Sequence, residues 1–201
     1  MYKLVLLPFF TLIAGFLFGP SPNQSIPKHQ RGTQSYPEHL TGAFTGGFGE
    51  ETCRSCHFDY DLNPDGGSLS VAGIPKTIDA GQSLTITITV DRKKLGKGGF
   101  QLSARYPDGR QAGRFEIEGN SRIMATSSIP DSLQYVQHSK AGTKPTAQSE
   151  ARWQINWKAP KTVSDTIIFN IAVNAANGDQ SEFGDFIYAQ EITVAHRDGK
   201  K

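Results

Sequence analysis

The chain's only two cysteines stand in one short run, Cys53-Arg54-Ser55-Cys56-His57, and that spacing restricts the chemistry open to them. A disulfide between them would close a very small loop, removing little freedom from the unfolded chain and stapling nothing distant. A redox-active pair belongs on a helix N-terminus in a strand–helix–strand setting, and no such pattern surrounds these residues. Zinc needs a fourth donor, and no second cysteine pair exists to complete a common structural site. Covalent haem attachment uses all three residues in their order. The two thiols add to the haem vinyl groups, and the adjacent His57 offers an imidazole nitrogen to the iron as proximal ligand. The expected cofactor is therefore one covalent haem c, held by Cys53 and Cys56, with His57 as a metal ligand.

An iron so held has a second axial position, and four histidines and Met124 remain as candidates for it. His29 lies in a polar, proline-rich stretch and His196 beside a basic tail, both reading as solvated. His138 closes the strand-like run Leu133 to His138 (LQYVQH), just before a turn at Lys140 to Gly142, and is the leading candidate distal ligand. His39 could fold back from its place near the motif. Met124 sits in the strand-like run RIMA (122–125), which reads as core. An open sixth position stays as the fourth possibility.

These groups need a scaffold. From Gly67 onward the grammar is short strands and turns. Leu84 to Val90 (LTITITV) alternates apolar and hydroxylated residues with period two, the mark of a strand with one buried face. Phe100 to Tyr106 (FQLSARY) alternates likewise and ends at the turn Pro107-Asp108-Gly109. Further strands are expected at 68–72, 114–118, 132–138, 151–157, 166–174 and 186–194, and no stretch after residue 60 has helical periodicity. The expected fold is all-β: an antiparallel, immunoglobulin-like β-sandwich over residues 67–196, with an N-terminal haem-binding extension at 42–66 and a basic tail at 197–201. Trp153 and Trp157, four apart on one strand face, read as core. Residues 174–179 (NAANGD) read as a tight loop, with calcium binding by Asp179, Glu182 and Asp185 as the alternative. The extension has too little helix for a small cytochrome c fold, so the haem's apolar wall is expected from Phe44, Phe48, Phe58 and Tyr60 together with the sandwich.

The N-terminus locates the protein. Lys3 precedes an uncharged, apolar run from Leu4 to Gly19, which as a helix spans about 24 Å, short of the roughly 30 Å hydrocarbon core. Residues 1–21 therefore read as a secretory signal or a retained N-terminal membrane anchor, and residues 22–41 as a flexible linker. A formal net charge of +2 without a dense basic patch argues against nucleic acid as a partner. The expectation is an exported protein, periplasmic or at the cell surface.

The order of motifs resembles a known group. The run from Thr41 to Cys53 (TGAFTGGFGEETC), the Cys-x-x-Cys-His, residues 137–142 (QHSKAG), 153–160 (WQINWKAP), 174–179 and 184–188 (GDFIY) resemble bacterial choice-of-anchor β-sandwich proteins, relatives of the eukaryotic Reeler domain. The resemblance runs from about residue 41 to 195. It implies an immunoglobulin-like sandwich on an exported, variably anchored protein, in a group where many chains carry the haem motif at this position. This chain departs from that pattern at its end, where residues 196–201 offer neither a hydrophobic anchor nor a sorting domain, so an anchor is expected at residues 4–19.

The leading functional reading is single-electron transfer to or from a redox partner protein by a monohaem c-type cytochrome-like chain. The alternative is a cell-surface binding, adhesion or gas-sensing module with a structural haem. An enzyme is the less favoured class, because no distal acid–base pair is readable.

Overall fold

The computed structural model describes residues 43–128 and 133–197. Ten strands run in order as β1 (Gly67–Ala72), β2 (Thr77–Ile78), β3 (Ser83–Arg92), β4 (Lys97–Arg105), β5 (Arg114–Glu116), β6 (Ile123–Ser128), β7 (Leu133–His138), β8 (Glu150–Lys158), β9 (Ile167–Ala176) and β10 (Phe186–His196). They form a four-stranded sheet, β1-β3-β8-β5, and a six-stranded sheet, β2-β10-β9-β4-β7-β6. Every pairing is antiparallel except the two-residue β2, which lies parallel to the end of β10. The expected all-β sandwich is the observed one.

Alternation explains the inner faces. In β3 the inward set is Leu84, Ile86, Ile88 and Val90, all buried, while the threonines between them face outward. Opposite in register, β8 buries Ala151, Trp153, Ile155 and Trp157. From the other sheet Phe100, Leu102 and Ala104 of β4 and Phe169, Ile171 and Val173 of β9 complete the core. Full burial of one such large apolar side chain contributes about 1.5–3 kcal/mol. Each tryptophan also satisfies its indole N–H: Trp153 donates to the Gly142 carbonyl at 2.9 Å and Trp157 to that of Ala112 at 3.1 Å.

The eight expected strands are present with small shifts at their ends, and two more were not anticipated at full extent. β2 is too short to carry a period, and in β6 only the RIMA run was strand-like. The segment before β1 does not stand apart from the sandwich. Residues 43–52 lie on the outer face of the six-stranded sheet, over Gln101, Ser103 and Arg105 of β4. These polar residues are almost fully buried. Phe44 N–H donates to Gln101 Oε1 (2.6 Å), and Thr45 Oγ1 reaches Ser103 Oγ (3.5 Å) and donates to Glu50 (2.7 Å). Glu50, Arg105 and Tyr135 form a closed triangle, with Arg105 donating to Glu50 and to the Tyr135 hydroxyl, and Tyr135 donating to Glu50. Burial, and then the hydrogen bond to Glu50, push the Tyr135 phenol above its usual pKa, so it remains a donor. Gly47 permits the close approach, because a Cβ there would overlap the Asn170 carboxamide.

Candidate haem site

The covered sheet face delivers the chain directly into the cysteine run. A bridge between Thr45 and Thr52 closes the arm, and Thr52 then caps a single 3-10 turn, Cys53–Ser55, its Oγ1 accepting from Arg54 N–H at 3.2 Å. The Cys53 carbonyl accepts from both Cys56 N–H (3.3 Å) and His57 N–H (3.0 Å). This winding brings residues i, i+3 and i+4 to one side of the turn. Cys53, Cys56 and His57 accordingly line one cleft of about 250 Å³, together with Phe44, Gln101, Gln137 and His138. A second cleft, of about 300 Å³, shares Cys53, His57 and His138 and continues past Gly98, Gly99, Asn174 and Asp185.

His138 enters from the end of β7 and is held there from both sides. Phe100 N–H donates to its Nδ1 at 3.0 Å, and the Phe100 carbonyl lies 3.2 Å from the same nitrogen. Accepting from the N–H places the ring proton on Nε2, whereas donating Nδ1–H to the carbonyl frees the Nε2 lone pair, so ligation through Nε2 requires the second tautomer. The ring lies over bare backbone, since a Cβ on Gly99 would stand 3.0 Å from its Cε1. After His138, the chain turns through Ala141–Thr143, pinned by Arg122, which donates to the Gly142 carbonyl at 3.0 Å. Burial depresses the His138 pKa, partly opposed by the hydrogen bond to the Phe100 backbone, which keeps the imidazole neutral and therefore able to donate a lone pair.

His57 meets a carboxylate. Its Nδ1 is 2.8 Å from Asp185 Oδ2, off the line of the ring N–H. The Asp185 side chain is only 2% exposed, and it also accepts from Asn177 N–H at 3.0 Å and from Asn174 Nδ2 at 3.4 Å. The 177–184 loop that presents it is braced in turn by Asp59, which accepts from Gly184 N–H at 2.7 Å. The tight loop expected at 174–179 begins only at Asn177, because Asn174 to Ala176 complete β9. The calcium alternative there is not favoured: Asp179 is occupied within its own loop by Ser181 N–H (2.9 Å) and Asn177 Nδ2 (3.1 Å), while Asp185 turns inward to His57. Among the described residues no group of three or more His, Cys, Asp or Glu converges to hold a bare metal ion.

The thiols point away from redox exchange. No disulfide joins Cys53 and Cys56, and burial pushes the Cys53 thiol up to about 12, the opposite of the lowered value that activates a nucleophilic cysteine. Two thiols, one adjacent histidine and a second histidine from a distant strand, all on one cleft, form a donor set that fits a thioether-linked haem. The apolar wall differs from expectation. Of the four aromatics assigned to it, Phe44 lines the cleft, but Phe48 lies over the Arg105 guanidinium, Phe58 packs edge-on against Phe183, and Tyr60 stacks on Phe186 at 4.1 Å. The last two were drawn off because the chain beyond His57 leaves the cleft to follow β10.

The other iron-ligand candidates lie elsewhere. Met124 lines neither cleft, and His196 sits at the far end of β10 from Asp185. His29, His39 and the signal or anchor segment at 4–19 fall outside the described residues. Among the described residues no helix is long and apolar enough to cross a membrane. Asp185, Gly99, Gln101 and Gln137 belong to the site and were missed as such. In the sequence Asp185 reads only as a calcium candidate, and the other three carry no signal apart from their strands.

Comparison with known proteins bears on the scaffold. The crystal structure of the Reelin-N domain of F-spondin is similar to this chain at 21% identity, covering 72% of it and 97% of that domain, with a TM-score of 0.47. The human F-spondin reeler domain is similar at 18% identity (69% and 95% covered, TM-score 0.43), and a cohesin module from Clostridium perfringens at 11% (65% and 98%, TM-score 0.39). None of the curated proteins matches the sequence. The profile of the Reeler domain matches residues 53–178, more than half of the chain, from the first cysteine to the start of the loop that precedes Asp185. By that match, the protein belongs to the Reeler domain family.

Proposed function

We propose that this Reeler-domain protein is exported and carries one haem c, which Cys53 and Cys56 would hold covalently and His57 and His138 would ligate through iron, and that it transfers single electrons. The observation that carries the reading is convergence: the cysteine run and the end of β7, distant in sequence, meet on one cleft with both imidazoles. When bound, haem c supplies an iron centre that alternates between ferric and ferrous states. The protein's part is to hold two imidazoles in place. Thr52 and the Cys53 carbonyl fix the turn that carries His57, and the Phe100 backbone fixes the ring of His138. Two strong ligands leave no vacant position for substrate, which suits a relay better than a catalyst. Export is supported by the apolar run at 4–19.

The test is to produce the protein with a c-type maturation system. It should keep its pigment after denaturation, and its mass should exceed that of the polypeptide by one haem. A bare polypeptide mass overturns the reading. Replacing His138 with Ala should leave the haem attached, convert a low-spin spectrum to high spin, and open the iron to carbon monoxide. An unchanged low-spin spectrum would move the sixth ligand to His39 or Met124.

A further inference from the structure

A carboxylate buried this deeply needs positive charge or strong donors around it, because desolvating an unpaired anion is costly. Asp185 has two amide donors, from Asn177 and Asn174, and its sole ion-pair neighbour among the described residues is His57. Lys97 shares the second cleft but is exposed. The arrangement therefore reads from His57 outward. One ring nitrogen faces a full negative charge at 2.8 Å, and the other is left for the cleft.

We propose that Asp185 is a positioning residue for the iron: it takes the Nδ1–H of His57, fixes the tautomer that presents Nε2, and biases the centre towards the ferric state. The inference rests on the haem reading above. The Nδ1–H is not directed at Oδ2 as the ring stands, so the imidazole must turn for this hydrogen bond to form. A carboxylate in this place strengthens the imidazole as a donor more than a backbone carbonyl would, and its charge stabilises the more positive iron. The loop is built to keep it there. Asn177 N–H holds Oδ1, Oδ2 is shared between Asn174 Nδ2 and the histidine, and Asp59, two residues beyond His57, ties the Gly184 backbone beside Asp185 to the same arm. The ligand and its partner thus cannot drift apart independently.

Asp185→Asn preserves size and the Oδ1 acceptor for Asn177 while removing the charge. Its ferric-to-ferrous equilibrium should move about tenfold towards ferrous, a rise of about 59 mV for a one-electron couple. Asp185→Glu, which restores the charge, should recover part of that shift. An Asn variant that loads haem normally and whose ferric-to-ferrous equilibrium moves less than about twofold overturns the proposal and leaves Asp185 a loop brace. If that variant fails to fold, the iron–histidine stretching frequency of ferrous His138→Ala protein, with Asp185 in place, decides. A frequency in the range of carboxylate-bonded imidazole supports the proposal, and one in the carbonyl-bonded range overturns it. A parent protein without haem overturns both this and the functional reading, whereas haem present with an unmoved potential overturns this one alone.

Discussion

On the four-stranded sheet the outward side chains of β8 are Arg152, Gln154 and Asn156, and water covers them; on the six-stranded sheet those of β4 are Gln101, Ser103 and Arg105, and residues 43–52 cover them. The two strands are alike in alternating polar and apolar residues. What differs is how the polar groups are satisfied. The exposed ones are open to solvent even where they pair, as Asn156 does with Thr85 and Arg152 with Glu150, while each buried one depends on a particular partner: Gln101 on the Phe44 backbone, Ser103 on Thr45, Arg105 on Glu50 and Tyr135. A buried polar face of this kind specifies where its cover must sit. The cover is the stretch that enters the cysteine turn, so the hydrogen-bonded face of β4 sets where Cys53 begins.

Three substitutions sharpen that contrast. Arg105→Ala should act most strongly, leaving the Glu50 carboxylate against the sheet without its cation. The expected loss is about 3 kcal/mol, a fall in Tm of roughly 10 °C, measured by thermal unfolding, with release of the 43–52 segment visible as faster amide exchange. A loss below about 1 kcal/mol would show that the triangle is dispensable. Gly47→Ala should cost about 1–3 kcal/mol, because the added methyl group meets the Asn170 carboxamide and one of them must move. The same exchange experiment should show the arm loosened while the β3–β8 amides remain protected. Thr85→Ala removes a cross-strand hydrogen bond to Asn156 Oδ1 (3.0 Å) on the open face, and chemical denaturation should register only about 0.5 kcal/mol.

The same contrast marks how far the sequence could be read. Period two found β3, β4, β8, β9 and β10, because an inner face must be apolar whatever lies outside it. It could not distinguish the outer faces, since a polar residue satisfied by water and one satisfied by a distant glutamate leave the same pattern. The aromatics show this limit too. Phe48, Phe58 and Tyr60 are near the motif in the chain, yet their places were decided by Arg105, Phe183 and Phe186, residues recognisable only after folding. The cysteine run and the strand-end histidine stand out in the sequence by residue type and spacing, and the fold brings them to one cleft. Asp185 does not stand out, because a carboxylate beside a glycine reads as a loop until the loop is seen to fold back over His57.

Asn63 has a role that concerns other molecules more than this one. Over its first half, β10 has no strand on the side where β2 later joins, and Asn63 occupies that margin, donating its N–H to the Ile187 carbonyl (2.9 Å) and accepting Ala189 N–H on Oδ1 (2.8 Å). A bare strand margin is a template on which a second chain can add. The segment that follows the cysteines therefore also caps this margin of β10, satisfying two backbone groups that a second chain would otherwise find open.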